Sequence, residues 1–468
     1  VRFIGKNLWS VSTGDRHGMT RLVIVGGSDA GISAALRARE VDPAAQIDLL
    51  LTDRWPDYSI CGLPYLLSGE VRRTEDLAHR TREDIEAAGI TLHLEHRVDT
   101  IDARAHRVRA RTAIGEREFS YDALVIGTGA MPQRPPIDGL HHDGVHQLHA
   151  VGDALELADR LTHPSAHRAV IVGAGYIGLE MADALRLREL DVAVVERLPE
   201  VMPTVDPQIG QLVRRTLEGG GVEVLTATAV SRIARDGDGL QVHTDLRTLD
   251  ADIVLVVTGV RPDVELGLQA GARLGAAGAL AVDEQMRTGV PGVWAAGDCV
   301  HTHHRLLAEP TYLPLGTTAH KQGRTAGENA VGGSRRFAGV LGTQVVKILD
   351  LAVAATGLRD DSALRNGYRP RTEQLVVPDH KRYYPGAVDL TIRLTGDERD
   401  GRLLGAQIAG GLSGQVAKRI DTIATALHHR LTVDELNDLD LSYSPPFSAP
   451  WDPVQAAAQA WSAAAPAP

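Results

Sequence analysis

One arrangement of residues occurs twice in this 468-residue chain and limits its fold more than any other feature. The apolar run at 22–25 leads into Gly26-Gly27-Ser28-Asp29-Ala30-Gly31. An Ala-rich helical stretch over 32–39 follows, then a second apolar run over 47–51 and Thr52-Asp53. The same order returns as an apolar run at 169–172, then Gly173-Ala174-Gly175-Tyr176-Ile177-Gly178. A helical stretch over 179–187, a run over 192–195 and Glu196 complete it. Strand, glycine turn, helix, strand, acid is the order of a unit that sets a pyrophosphate on a helix N-terminus and a ribose on the acid. Two copies predict two dinucleotide sites.

The composition agrees. Glycine is in excess at 48 residues and aromatic residues are scarce at 4%. That suits close backbone approach to phosphates and speaks against a β-sandwich or an aromatic nucleic-acid platform. Hydrophobic residues at 43% and charged residues at 23% allow sizeable cores, over roughly two to four domains. The net charge of -11 argues against a polyanion-binding surface, so no nucleic-acid partner is expected. No apolar run reaches the ~18 residues of a membrane span, so no membrane partner is expected either. Two cysteines, Cys61 and Cys299, make no disulfide framework and suit a reducing cytoplasm. Residues 1–18 lack periodicity and do not read as a signal peptide. They are expected to be a disordered or non-native leader, with the meaningful chain starting near Met19.

Three further apolar runs end in glycine turns. They lead into Gly127-Thr128-Gly129-Ala130, Thr258-Gly259-Val260 and Ala296-Gly297-Asp298. Turns at the carboxyl ends of parallel strands face ligands in open α/β sheets. From about residue 337 the pattern changes. Leu390, Ile392 and Leu394 alternate with Thr391 and Arg393, which predicts a half-exposed antiparallel sheet. Val416, Ile420, Ile423 and Leu427 mark a helical stripe, and Thr432-Val433-Asp434-Glu435 is a capping box. The expected fold class is α/β: two Rossmann-like dinucleotide-binding domains plus a C-terminal α+β domain. The expected divisions are 19–144 and 274–333 for the first dinucleotide domain, 145–273 for the second and 334–468 for the last. The tail from Ala456 is Ala- and Pro-rich, with a frayed end expected.

The second glycine turn carries the full fingerprint. Gly173 allows the tight turn, Gly175 admits the pyrophosphate, and Gly178 lets helix and strand pack. Glu196 favours NADH through the ribose hydroxyls, while Arg197 leaves NADPH open. In the first turn Ser28 replaces the middle glycine; beside a second unit it reads as an FAD site, with Asp53 and Asp298 as polar ligands. Cys61 stands in Tyr58-Ser59-Ile60-Cys61-Gly62-Leu63-Pro64-Tyr65. A helix starting there would lower its pKa and favour the thiolate, and a small buried cysteine is the plainer alternative. Asp29 reads as a helix N-cap or as a proton acceptor near Cys61. His301, His303 and His304 follow Cys299, either as a soft-metal cluster or as a polar loop near the flavin; no tetrahedral zinc spacing fits.

Taken in order, these motifs resemble the flavin-dependent pyridine nucleotide-disulfide oxidoreductases. The single cysteine points to their branch of coenzyme A disulfide reductases and NADH oxidases or peroxidases. The segments Thr128-Gly129-Ala130-Met131-Pro132, Leu313-Pro314-Leu315-Gly316 and Asp440-Leu441-Ser442-Tyr443-Ser444-Pro445-Pro446 add to the resemblance, which covers about residues 20 to 455. It implies FAD held by Gly26, Gly27, Ala30, Gly31, Asp53, Thr128, Gly129 and Asp298, with the helix opening at Pro314-Leu315 aimed at the flavin. It implies NADH or NADPH held by Gly173, Gly175, Tyr176, Ile177, Gly178, Glu196 and Gly259, with Tyr176 over the nicotinamide pocket and Glu180 near the flavin–nicotinamide junction. It also implies a homodimer sharing active sites, in which Tyr384 and Tyr443 of one chain serve the Cys61 of the other. The function implied is reduction of a small disulfide or other thiol-linked substrate, coenzyme A disulfide-like, through Cys61. An oxidase or peroxidase, or a metal-related reductase using the histidines, is the alternative. Three departures bear on the substrate. Ile60 stands where coenzyme A disulfide reductases have asparagine, Asp29 where peroxidases and oxidases have histidine, and the sequence stops before the rhodanese domain of the persulfide-reducing branch.

Overall fold

The computed structural model describes residues 19–464. The expected leader 1–18 and the frayed end of the tail lie outside the described residues.

Both repeats form parallel sheets. In the first, the strands Arg21–Val25, Gln46–Leu50, Thr91–His93, Ala123–Ile126 and Val293–Ala295 make one five-stranded sheet with Arg21–Val25 at its centre. In the second, Arg168–Val172 is central and is flanked by Asp191–Val195 and Ile253–Val256, all parallel. These central strands are almost continuously apolar because helices or further strands cover both faces, as parallel sheets require. Strand Val293–Ala295 returns to the first sheet after the whole second unit has been made. This carries Asp298 to the carboxyl edge where Gly26 and Gly127 already lie.

Tight helix packing fixes that edge. Helix Gly316–Ala330 lies on helix Asp29–Val41 through Gly323 and Gly327, where a Cβ would stand 2.2 and 2.1 Å from the carbonyl oxygens of Ala30 and Ala34. No larger residue permits this approach, and it holds the helix N-terminus at Leu315 beside the first glycine turn.

The C-terminal sheet is antiparallel and five-stranded, as the alternation suggested. The exposed face is only partial: Gln374 and Val376 on the edge strand Pro370–Pro378 are exposed, beside a covered stretch. On the strand Asp389–Asp397 even Arg393 is buried, paired with Asp206 at 3.2 Å and Asp360 at 2.9 Å. An ion pair covers this part of the polar face, so the alternation at Arg393 marks buried charge rather than solvent. The helical stripe is helix Val416–His428, and the Thr432–Glu435 box caps helix Val433–Asn437. The Ala-rich tail is an ordered helix, Pro453–Ala463, with Val454, Ala457, Ala458 and Trp461 buried in the same core.

Candidate functional site

The glycine turns, the strand ends and the N-terminus at Leu315 line one continuous cleft of about 2410 Å³. Both turns use glycine for the same reason. Gly26 (φ +105°) and Gly173 (φ +108°) take backbone conformations that L side chains avoid. A Cβ at Gly31 or Gly178 would lie 1.7 or 2.0 Å from the carbonyl oxygen of Gly26 or Gly173. Gly31 and Gly178 lie behind the cleft wall, packed on the carbonyls of Gly26 and Gly173, and Ala30 packs against Gly323 and Gly297. Gly175 differs: a Cβ there would meet nothing within 4 Å. That open space at a helix N-terminus is where a pyrophosphate fits.

Gly26, Gly27, Asp53, Thr128, Gly129, Asp298, Pro314 and Leu315 all face the first half of the cleft. The Thr128 hydroxyl donates to the Asp263 carbonyl at 2.7 Å, which pins this turn. Burial pushes the Asp298 carboxyl up to about 6. The residues present suit a long ligand with a pyrophosphate, hydroxyls and flat rings, which FAD is. Gly173, Gly175, Tyr176, Ile177, Glu196 and Gly259 line the second half. Glu196 accepts from the Ala174 amide at 2.8 Å and from the Leu198 amide at 2.8 Å, so the carboxylate is held at the glycine turn. Burial pushes the Tyr176 hydroxyl up to about 12, and Thr204 donates to it at 2.9 Å.

Cys61 lies where the halves meet, in the short helical turn Ile60–Gly62 that leads into helix Leu63–Ser68. The expected lowering of its pKa is not found. Burial among the cleft atoms pushes the thiol up, and the carboxylates of Glu180, Asp29 and Asp298 push it further in the same direction. A helix this short contributes too little dipole to offset three nearby acids. Among them, burial pushes the Glu180 carboxyl up to about 7.

Asp29 is not the N-cap. Ser28 takes that position, and Asp29 opens the helix with Oδ1 3.4 Å from His320 Nε2. His320 Nδ1 in turn meets the Ser33 hydroxyl at 2.8 Å.

The histidine cluster separates. His301 Nε2 is held by the Val282 backbone, and burial pushes the buried His304 down to about 4. Cys299 is wholly buried and faces the Ala296 carbonyl. Among the described residues no group of three or more His, Cys, Asp or Glu side chains comes together as a metal site.

Tyr384 and Tyr443 do not line the cleft of their own chain. Both are exposed, with Tyr383, Phe447 and Trp451 exposed nearby in sequence. Arg419 draws their two loops together, donating to the Asp379 carbonyl at 2.7 Å and the Phe447 carbonyl at 3.3 Å. Sequence reasoning missed two residues beside Glu180, Tyr65 and Lys347. Tyr65 lay within the cysteine motif, but nothing in the sequence tied Lys347 to the site.

The pyridine nucleotide-disulphide oxidoreductase family model matches residues 20–323, and the matching dimerisation domain covers 343–453. The chain belongs to this family. An NADH oxidase of Methanocaldococcus jannaschii is 34% identical over 94% of this chain and 98% of its own. An NAD(P)H sulfur oxidoreductase (CoA-dependent) of Pyrococcus abyssi is 35% identical over 92% of this chain and 96% of its own. Among solved structures, an NAD-dependent persulfide reductase from A. fulgidus matches with a TM-score of 0.90 and 36% identity. It covers 94% of this chain and 82% of its own. The chain is therefore an oxidoreductase that uses FAD and NAD(P)H, and it carries a dimerisation domain. Among the described residues no helix is long and apolar enough to cross a membrane.

Proposed function

We propose that the protein reduces a small disulfide, coenzyme A disulfide-like, at Cys61, in a homodimer whose active sites are completed by the partner's tyrosines. The observation that carries this reading is the position of Cys61, a lone accessible thiol at the junction of the two dinucleotide halves. When bound, FAD takes a hydride from NAD(P)H and returns the electron pair to sulfur.

The chain's own residues do the rest. Gly175 and the turn around it seat the pyrophosphate of NAD(P)H, and Tyr176 closes the nicotinamide pocket. The Cys61 thiolate attacks one sulfur of the disulfide; a mixed disulfide forms and one thiolate leaves. A tyrosine hydroxyl from the partner subunit, Tyr384 or Tyr443 by its number, protonates that thiolate. The electron pair then cleaves the mixed disulfide, which frees the second thiol and restores Cys61. Two protons are consumed for each disulfide, one of them brought by NAD(P)H.

Replacing Cys61 tests this. Cys61→Ser is expected to lower disulfide-dependent NADH consumption by about a thousandfold or more, while NADH still bleaches the flavin at close to the wild-type rate. Undiminished disulfide turnover by Cys61→Ser refutes the reading. Oxygen as acceptor is the second reading, favoured by the oxidase relatives. It predicts steady NADH consumption in air without any disulfide.

A further inference from the structure

Lys347 belongs to the C-terminal antiparallel sheet, on the strand Gln344–Ile348, yet its ammonium reaches the nicotinamide-side helix Tyr176–Leu187. Nζ donates to Asp183 Oδ2 at 2.7 Å and lies 3.6 Å from Glu70 Oε1. It also stands 5.9 Å from the Tyr65 ring centroid. Asp183 is buried and follows Glu180 by three residues on one helix, so the two carboxylates share a face. Tyr65, on the neighbouring helix Leu63–Ser68, faces Glu180 and favours its charged form. Three distant parts of the chain thus converge behind a carboxylate that lines the cleft.

We propose that Lys347 and Asp183 act as a positioning pair that sets the charge state of Glu180, and so the ease with which the nicotinamide site gives up hydride. This rests on the reading above, in which the nicotinamide lies beside Tyr176 and Glu180. An ionised Glu180 stabilises the positive charge that a departing hydride leaves on the nicotinamide, and a protonated Glu180 does not. Glu180 itself gains and loses no proton in that step.

The balance around Glu180 can be read group by group. Burial raises its carboxyl and Asp183 adds to the rise, while Tyr65 and the Lys347 charge pull it back. Tyr176 and Asp183 face it from its own helix. Tyr65 and Cys61 face it from the cysteine segment, with Glu70 beyond them. Strands Arg168–Val172 and Asp191–Val195 meet this helix with apolar side chains such as Ile171 and Val194. Lys347 is the one cation among these named groups.

The test uses the oxidised holoenzyme without NADH. The infrared carbonyl band of protonated Glu180, identified by its loss in Glu180→Gln, is followed against pH. In the wild type it should disappear with a midpoint near the value of about 7 that burial imposes. Lys347→Met should raise the midpoint by about one pH unit, and Lys347→Arg should hold it at the wild-type value. Asp183→Asn should lower it, which keeps the test decisive where Lys347→Met does not fold. The rate of flavin bleaching by NADH should follow the same midpoints. Unmoved midpoints in folded Lys347→Met and Asp183→Asn overturn the proposal. Failure of the wild type to bleach with NADH overturns the cofactor reading instead.

Discussion

At the scale of single residues, the junction around Cys61 is governed by acids: Glu180, Asp29 and Asp298 all push its thiol up. Glu180 has an effect on the fold as well as on chemistry. Its ordinary value is 4.5 and the folded protein holds it up at about 7, so the fold favours the protonated form. The stabilisation is fully present below the unfolded value and is lost as pH rises through about 7. Melts of the wild type should therefore lose stability across that interval, and Glu180→Gln should flatten this part of the curve. Glu196 makes a different prediction. Its two oxygens satisfy the Ala174 and Leu198 amides, so Glu196→Ala leaves both orphaned. It should cost about 1–3 kcal/mol in denaturant unfolding and raise KM for NADH. Cys61, Glu180 and Glu196 were legible as residues because motifs name them. Their electrostatics were not, since the thiol pKa depends on Asp29 and Asp298, which come from distant stretches of chain and meet only in the fold.

At the scale of elements, the glycines divide by what surrounds them. Gly31→Ala drives a Cβ into the Gly26 carbonyl and should cost about 3 kcal/mol or more, with loss of FAD on gel filtration. Gly175→Ala meets only open space. It should fold within about 1 kcal/mol of wild type and keep its FAD, yet raise KM for NADH about tenfold. The contrast separates packing from ligand contact, which the fingerprint alone does not do. Strand, turn and helix order was readable because each unit satisfies its own local rules. The burial of Arg393 was not, because its partners Asp206 and Asp360 lie far from it in sequence. The same holds for the Ala-rich tail, whose order depends on Trp461 packing into the C-terminal core.

At the scale of the whole molecule, Tyr384 and Tyr443 stand outside their own cleft, so the proposed site needs two chains. Cys61→Ser mixed with the double variant Tyr384→Phe/Tyr443→Phe should then show complementation. Each heterodimer has one intact site, so random exchange restores about a quarter of wild-type disulfide turnover. No gain on mixing argues for sites contained in one chain. The family was readable from the order of motifs, while the partner's contribution was only implied by resemblance and needs this experiment. The central claim, that electrons leave through sulfur at Cys61, has a more direct test: the mass of the Cys61 peptide. After the oxidised holoenzyme is mixed anaerobically with coenzyme A disulfide, that peptide should carry one coenzyme A as a mixed disulfide, and NADH should release it. An unmodified Cys61 peptide during steady disulfide-dependent NADH consumption would contradict the account.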